Sequence, residues 1–362
     1  MQLNIGGHKW LWYDGYGRLS LGLAKALIYA GHDIHPFELR EYENKPAWYS
    51  LAQGLDFSRA TLQLAPPCEF QHIPGNSAAY TMHESMTLPD GWADAINQKN
   101  QVCIVPSPWL IEVFENAGVK VPIKVVPGGI DPDECPILRR HHNGPYTFIC
   151  LGDRGNRKGH HDVYQAFYKA FEHTNRDVQL IIKCRPGSLQ GLDFSYSTDP
   201  RVKVWRADVT HIADVFAFAD AAINPSHCEG YGMWPREAAA CGIPTVVTNW
   251  SGTADDSHEW AIPLEKYTLV DSYMKDCGGL WAQTDVDEIA WRMRDLYEKQ
   301  DEYKARALKA AQWMRDHATY AHAAKKLTEA LAWWLGGPPE EKALPVEVTT
   351  IHSNGHKHKE AV

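Results

Sequence analysis

The chain of 362 residues is long enough for two domains, each with its own core. Its formal net charge of −9 weighs against nucleic acid or anionic lipid as a broad electrostatic partner, a local basic cleft excepted. Hydrophobic residues at 44% and charged residues at 22% fit a soluble globular protein, and no run of about 20 apolar residues occurs, so no stable membrane insertion is expected.

Met1-Gln2-Leu3-Asn4-Ile5 reads as a first strand and not as a signal peptide, because no basic stretch precedes an apolar one. The eight Cys are scattered without a Cys-x-x-Cys pair, and Cys103, Cys150 and Cys184 sit in apolar runs. They read as buried thiols in a reducing, cytoplasmic setting. The 14 Trp and 16 Tyr supply core, with some available as a platform for a sugar or a base.

In chain order, Leu3–Gly7 is a strand candidate, Asp14-Gly15-Tyr16-Gly17-Arg18 a glycine loop, and Leu19–Ala30 a helix stopped by Gly31. Strands are expected at Asp33–Glu38, Ala79–Met82, Val102–Val105 and Ile123–Val126. Ser107 is placed to cap a helix Trp109–Ala117, with Pro108 at its first position. Pro127–Pro145 is rich in Gly, Pro, Asp and His and reads as an interdomain connection.

A second alternating series follows. Strands are expected at Tyr146–Leu151, Val178–Lys183, Val202–Trp205, Ala221–Pro225 and Thr245–Thr248, and helices at His160–His173, Ile212–Ala219 and Pro235–Cys241. From Asp285 to Leu335 the pattern is almost wholly helical. The tail from Gly336 to Val362 is polar and reads as lacking fixed structure; its His352, His356 and His358 read as solvated. The alternation predicts two doubly wound α/β domains facing a cleft.

The most informative segment runs from Ser226 to Pro244. It leaves a strand, crosses Glu229-Gly230-Tyr231-Gly232-Met233-Trp234, and enters a helix carrying Glu237. Backbone N–H groups and the positive helix end then face a crevice at the carboxyl edge of the sheet, where a diphosphate fits. Glu229 and Glu237, with seven residues between them, can each accept two hydroxyl hydrogen bonds from a diol. Taken singly, Glu237 is an ordinary helix-start acid and Glu229 an ordinary loop acid; together with the glycines and Cys241-Gly242-Ile243-Pro244 they form a pattern.

That pattern resembles retaining GT-B glycosyltransferases of family 4. The resemblance implies a fold of two Rossmann-like domains: 1–130 on the acceptor side, 131–305 binding the nucleotide sugar, helices over 306–335 packing back, and a flexible tail over 336–362. It implies that Glu237 binds the nucleotide ribose, that the amides of Gly230, Tyr231 and Gly232 bind phosphate, and that Glu229 contacts the donor sugar. Leu151-Gly152-Asp153-Arg154-Gly155-Asn156-Arg157-Lys158-Gly159 matches the family's basic clamp through Arg154 and Lys158, with Arg157 able to replace either. His83, in Tyr80-Thr81-Met82-His83-Glu84-Ser85, matches a strand-end histidine facing the donor sugar, and Gly15 and Gly17 match its first glycine loop. Met233-Trp234 departs from the smaller aliphatic pair usual there, which unsettles the choice of donor.

The expected activity is therefore transfer from a UDP- or GDP-linked sugar to an unidentified acceptor, with retention, and with no metal or cofactor. His83, Arg154, Lys158 and Glu229 are the expected catalytic set. Asp285-Val286-Asp287 reads as helix-start acids and not as a metal-binding Asp-x-Asp. The rival readings are a glycoside hydrolase using the two Glu, a catalytically silent sugar-nucleotide or glycan-binding module, and an enzyme of the phage type acting on modified DNA bases.

Overall fold

The computed structural model describes residues 1–8, 10, 14–39, 55–138, 144–153, 156–172, 175, 177–187, 199–274 and 277–336. Its first half is built from β1 (Gln2–Gly7), α1 (Gly15–Tyr29), β2 (Asp33–Glu38), β3 (Ala60–Leu64), β4 (Ser77–Tyr80), α2 (Trp92–Lys99), β5 (Val102–Val105), α3 (Trp109–Asn116) and β6 (Ile123–Val125). These strands make one parallel sheet in the order β2-β1-β3-β4-β5-β6.

The second half contains β7 (Tyr146–Leu151), α4 (His160–Ala170), β8 (Val178–Cys184), β9 (Val202–Arg206), α5 (Ile212–Phe216), β10 (Ala221–Asn224), α6 (Met233–Ala240), β11 (Thr245–Thr248), α7 (Ser257–Trp260) and β12 (Ile262–Leu264). They form a second parallel sheet, β12-β11-β10-β7-β8-β9. An antiparallel hairpin of β13 (Tyr267–Asp271) and β14 (Leu280–Thr284) follows, then α8 (Val286–Glu298), α9 (Gln300–His317) and α10 (Tyr320–Gly336). Two doubly wound α/β units of this kind are the GT-B architecture.

The sequence explains why the strands lie inside. All six residues of β7 are buried, as a parallel strand covered by helices on both faces requires. Every residue of β3 is buried too, including Thr61 and Gln63. Gln63 Nε2 donates to Gln71 O at 3.0 Å, Ser77 Oγ at 3.0 Å and Asn100 Oδ1 at 3.2 Å. Those bonds offset the cost of placing an amide in the core.

Two local expectations change. The glycine loop at Asp14–Arg18 is a helix start: Asp14 is the N-cap of α1, and its carboxylate accepts from Gly17 N at 3.2 Å. Ser107 does not cap α3. Pro108 occupies the cap, and the Ser107 hydroxyl bonds the Asp255 carboxylate of the second half instead.

α10 returns to the first half. Tyr320, Ala323, Ala324, Leu327 and Leu331 share a core with Leu3, Ile5, Leu19, Leu23 and Leu27. The return is fixed at the connector: Ile130 N donates to Ala318 O at 2.8 Å, and Tyr320 N to Ile130 O at 3.0 Å. Gly129 is required here, because a Cβ at that position would lie 2.3 Å from Tyr320 N. Gly129→Ala is therefore expected to lower stability by about 1–3 kcal/mol. Gly15→Ala, whose Cβ would meet nothing within 4 Å, should be near neutral. Equilibrium urea unfolding of the two variants checks this.

Candidate active site

The second sheet reverses direction between β7 and β10: from β7 the chain winds outward to β8 and β9, and from β10 the other way to β11 and β12. Ligand crevices of open α/β sheets lie outside the carboxyl ends of strands at such a switch point. Two loops meet there, one after β7 and one after β10. His227 N donates to Arg157 O at 2.8 Å, and Ser226 Oγ to the same carbonyl at 3.2 Å. Behind them, His227 Nε2 and Asp162 Oδ2 of α4 lie 2.6 Å apart.

This clamping converges three charges. Lys158 Nζ is 2.5 Å from Glu229 Oε1, and Arg157 Nη1 is 3.2 Å from Glu229 Oε2 and 2.7 Å from Cys228 O. Arg157 Nη2 also lies 3.6 Å from Glu84 of the first half. Burial would push the Glu229 carboxyl up, but Lys158 and then Arg157 outweigh it and hold it at about 2. Burial pulls Arg157 down, yet Glu84 and Glu229 hold it above its ordinary value. Lys158 stays below its ordinary value, because burial and then Arg157 outweigh Glu229. One buried carboxylate is thus shared by two cations.

The glycine loop leads on from Glu229 into α6. Gly232 holds φ +78° as the N-cap of α6, a conformation that favours glycine. Gly230 packs against Met82 of the first half. Tyr231 is buried, with its hydroxyl donating to Gly128 O of the connector at 2.9 Å. Glu237, one turn into α6, faces a separate cavity of about 280 Å³ between the halves. Arg18 of α1 forms an ion pair with Glu237 Oε1, and Oε2 is buried without a hydrogen-bond partner among the described residues. Trp234, Asp153, Lys183 and Arg185 also line the cavity.

Of the other expected site residues, His83 lies against the loop, its carbonyl oxygen 3.3 Å from where a Cβ of Gly230 would stand. Arg154 lies outside the described residues, as do His352, His356 and His358. Gly15 and Gly17 form the first turn of α1, with the Gly17 amide occupied by Asp14. His83 is 1% exposed; its Nε2 lies 3.4 Å from Cys277 Sγ, and its ring meets Trp92 edge-on. Burial pulls the His83 imidazole below its ordinary pKa. Asp285 caps α8 by accepting from Glu288 N at 2.8 Å, and Asp287 pairs with Lys169. Sequence reasoning missed Arg18 as the partner of Glu237, and Lys183 and Arg185 as cavity lining. Their signal was a basic pair at the carboxyl end of a strand, just before Pro186-Gly187.

Because Glu229 is held below its ordinary 4.5, its contribution to stability is fully present above pH 4.5 and is lost as pH falls towards 2. Glu229→Gln strips Lys158 of its carboxylate and leaves Arg157 with Glu84 alone, at a cost of about 3–5 kcal/mol near neutrality. The stability gap between wild type and Glu229→Gln should be widest above pH 4.5 and narrow steadily below it. Urea unfolding across pH 7 to 3 measures the gap; a gap independent of pH would contradict the pairing.

Residues 108–327, more than half of the chain, match the model of the family described as family 4 glycosyltransferase in conflict systems. Glycogen synthase of Mycobacterium tuberculosis is 32% identical over 139 residues, 37% of this chain and 33% of that protein. The match thus spans about a third of the length of that relative. Anabaena HepE, solved in complex with UDP and glucose, shares the fold with a TM-score of 0.67 at 13% identity, over 92% of this chain and 99% of that one. Sucrose-phosphate synthase from Thermosynechococcus elongatus gives a TM-score of 0.68 at 12% identity, over 92% and 99%. Among the described residues, no helix is long and apolar enough to cross a membrane. With more than half of its length matching the family model and two Rossmann-like halves in the GT-B arrangement, the chain belongs to the family 4 glycosyltransferases of conflict systems.

Proposed function

We propose that the chain transfers a sugar from a nucleotide-sugar donor to an acceptor, with retention and without a metal. The observation that carries this reading is Glu237: a buried carboxylate on a cavity wall, with one oxygen on Arg18 and the other without a partner. An unpartnered buried acceptor is costly, and a ribose hydroxyl would satisfy it. HepE, with the same fold, is solved with UDP and glucose, which supports a UDP-linked donor here; a GDP-linked donor is the alternative.

In this reading the diphosphate lies over the loop of Gly230, Tyr231 and Gly232, at the N-terminus of α6. Lys158 has three N–H donors and gives one to Glu229, so others can meet phosphate oxygens. Lys158 and the loop amides would stabilise the charge that builds as the diphosphate departs. The acceptor oxygen bonds the anomeric carbon on the face the diphosphate leaves. The departing diphosphate oxygen takes the acceptor proton, so no separate base is required. The cationic side chains take the place of a metal at the diphosphate, and no cofactor is needed. All eight cysteines are free thiols, which fits a reducing, cytoplasmic setting.

Glu237→Gln is expected to weaken nucleoside diphosphate binding about tenfold or more, equivalent to about 1.4 kcal/mol, with a smaller effect on turnover. Calorimetric titration with UDP and with GDP measures it. Unchanged affinity would reduce Glu237 to a helix-terminal acid paired with Arg18. Binding without any turnover of a labelled donor would favour a silent sugar-nucleotide-binding module. Activity is further expected to persist in EDTA; loss restored by Mg²⁺ or Mn²⁺ would overturn the metal-independent reading.

A further inference from the structure

The first sheet has a switch point of its own. In the order β2-β1-β3-β4-β5-β6 the chain runs from β1 outward to β2, then crosses back to β3 on the other side of β1. A crevice outside the carboxyl ends of β1 and β3 is therefore the ligand position of this half. Two chemistry-bearing side chains meet there. His8 directly follows β1, and Glu69 closes a single 3-10 turn, Pro67–Glu69, beyond β3. His8 Nδ1 and Glu69 Oε2 are 2.5 Å apart, with side chains 10% and 16% exposed. The donor constellation uses neither residue.

We propose that the His8–Glu69 pair is a hydroxyl-binding site for a polyhydroxylated, carbohydrate-like acceptor, an inference that rests on the glycosyltransferase reading above. An ionised carboxylate can only accept, so the Nδ1 proton of His8 points to Glu69. In the neutral ring this leaves Nε2 as a hydrogen-bond acceptor. Nε2 has no hydrogen-bond partner among the described residues. An acceptor nitrogen on a side chain only 10% exposed favours a ligand O–H group.

The position of the pair suits this role. The His8 ring meets Tyr16 edge-on at 5.9 Å. The Tyr16 hydroxyl donates to Met82 O at 3.2 Å and accepts from Met82 N at 3.1 Å. Met82 in turn packs against Gly230 of the glycine loop before α6. One aromatic ring and one methionine thus separate the pair from the donor loop. A polyol anchored on His8 through one hydroxyl can present a neighbouring hydroxyl to the donor. The anchored hydroxyl keeps its proton; the attacking one gives its proton to the departing diphosphate.

The test uses the full chain and three variants, His8→Phe, His8→Gln and Glu69→Gln. UDP and GDP binding is measured by calorimetry. Release of nucleoside diphosphate from UDP-glucose or GDP-mannose, as that binding selects, is followed with methyl α-D-glucopyranoside, glycerol or methanol as acceptor. Wild type should be accelerated by the two polyols and not by methanol. His8→Phe should raise the polyol KM by about tenfold or more while nucleotide affinity stays unchanged. His8→Gln, whose amide oxygen stands near the place of Nε2, should retain part of the acceleration. Glu69→Gln should lose part of it, because an amide can accept from or donate to Nδ1 and no longer holds Nε2 as an acceptor alone. Equal polyol acceleration in His8→Phe overturns the proposal, as does a wild type that binds nucleotide but ignores both polyols. So does a joint loss of polyol response and nucleotide affinity in all three variants, which marks a structural pair. A wild type that binds neither nucleotide brings down the donor reading itself.

Discussion

A carboxylate taken out of water must find positive charge, and Glu229 is the clearest case in this chain. It is 5% exposed and is held by Lys158 and Arg157 from the opposite loop. Among the described residues neither loop has a helix or strand to hold it, so the ion pairs and the hydrogen bonds onto Arg157 O position both. Once they are in place, the entry to α6 is fixed, and with it the outlook of Glu237. Removing one member is costly because it strands the others in a low dielectric, and not because the pairing itself contributes a large net gain. The cluster is therefore best understood as a device that specifies one loop geometry.

The two halves are joined by a second set of polar contacts around the same crevice. Ser85 Oγ donates to Gly278 O and Thr87 Oγ1 to Cys277 O, each at 2.6 Å, and Trp281 Nε1 donates to Glu84 O at 2.8 Å. The segment that carries His83 is thus bound to the loop joining β13 and β14. The hairpin in turn supports the loop after β10, since Ala282 N donates to His227 O at 2.9 Å. Arg18 and Glu237 add an ion pair across the cavity. Polar contacts of this kind between domains break more readily than an apolar interface, which suits a cleft that must admit and release a ligand.

The sequence carried most of the architecture, because strands buried on both faces are continuous apolar runs and their helices end at glycines. Thr245–Thr248 was legible to the residue for that reason. β3 was not: Thr61 and Gln63 break the apolar run, and only Asn4, on Thr61, and Gln71, Ser77 and Asn100, on Gln63, make them tolerable inside. The hairpin escaped notice because its first strand is largely exposed and lacks an apolar pattern. At the site, Lys158 and Glu229 were legible as types at motif spacing. What spacing cannot show is which carboxylate meets which cation. Arg157 shares Glu229 with Lys158, and Arg18, 219 positions earlier in the chain, meets Glu237.

The overall charge of −9 and the charge of the cavity are separate quantities. Arg18 pairs with Glu237, Lys25 with Asp131 at 2.7 Å, and Arg185 with Asp153, so three of the cavity cations are locally neutralised. Lys183 is 8% exposed, and among the described residues its ammonium has no ion-pair partner; burial pulls it below its ordinary pKa. Surface acids more than about 8–10 Å away are damped by physiological salt, whereas groups buried in the cleft are not. An anion entering the cavity would meet Lys183 at short range and the remaining surface only through screened water. The net charge therefore governs encounter with extended polyanions, which bind by neutralising many phosphates at once. It has little bearing on a single diphosphate held by a few buried donors. The acidic balance that weighs against nucleic acid as a broad partner is thus compatible with a phosphate-bearing donor in the same molecule.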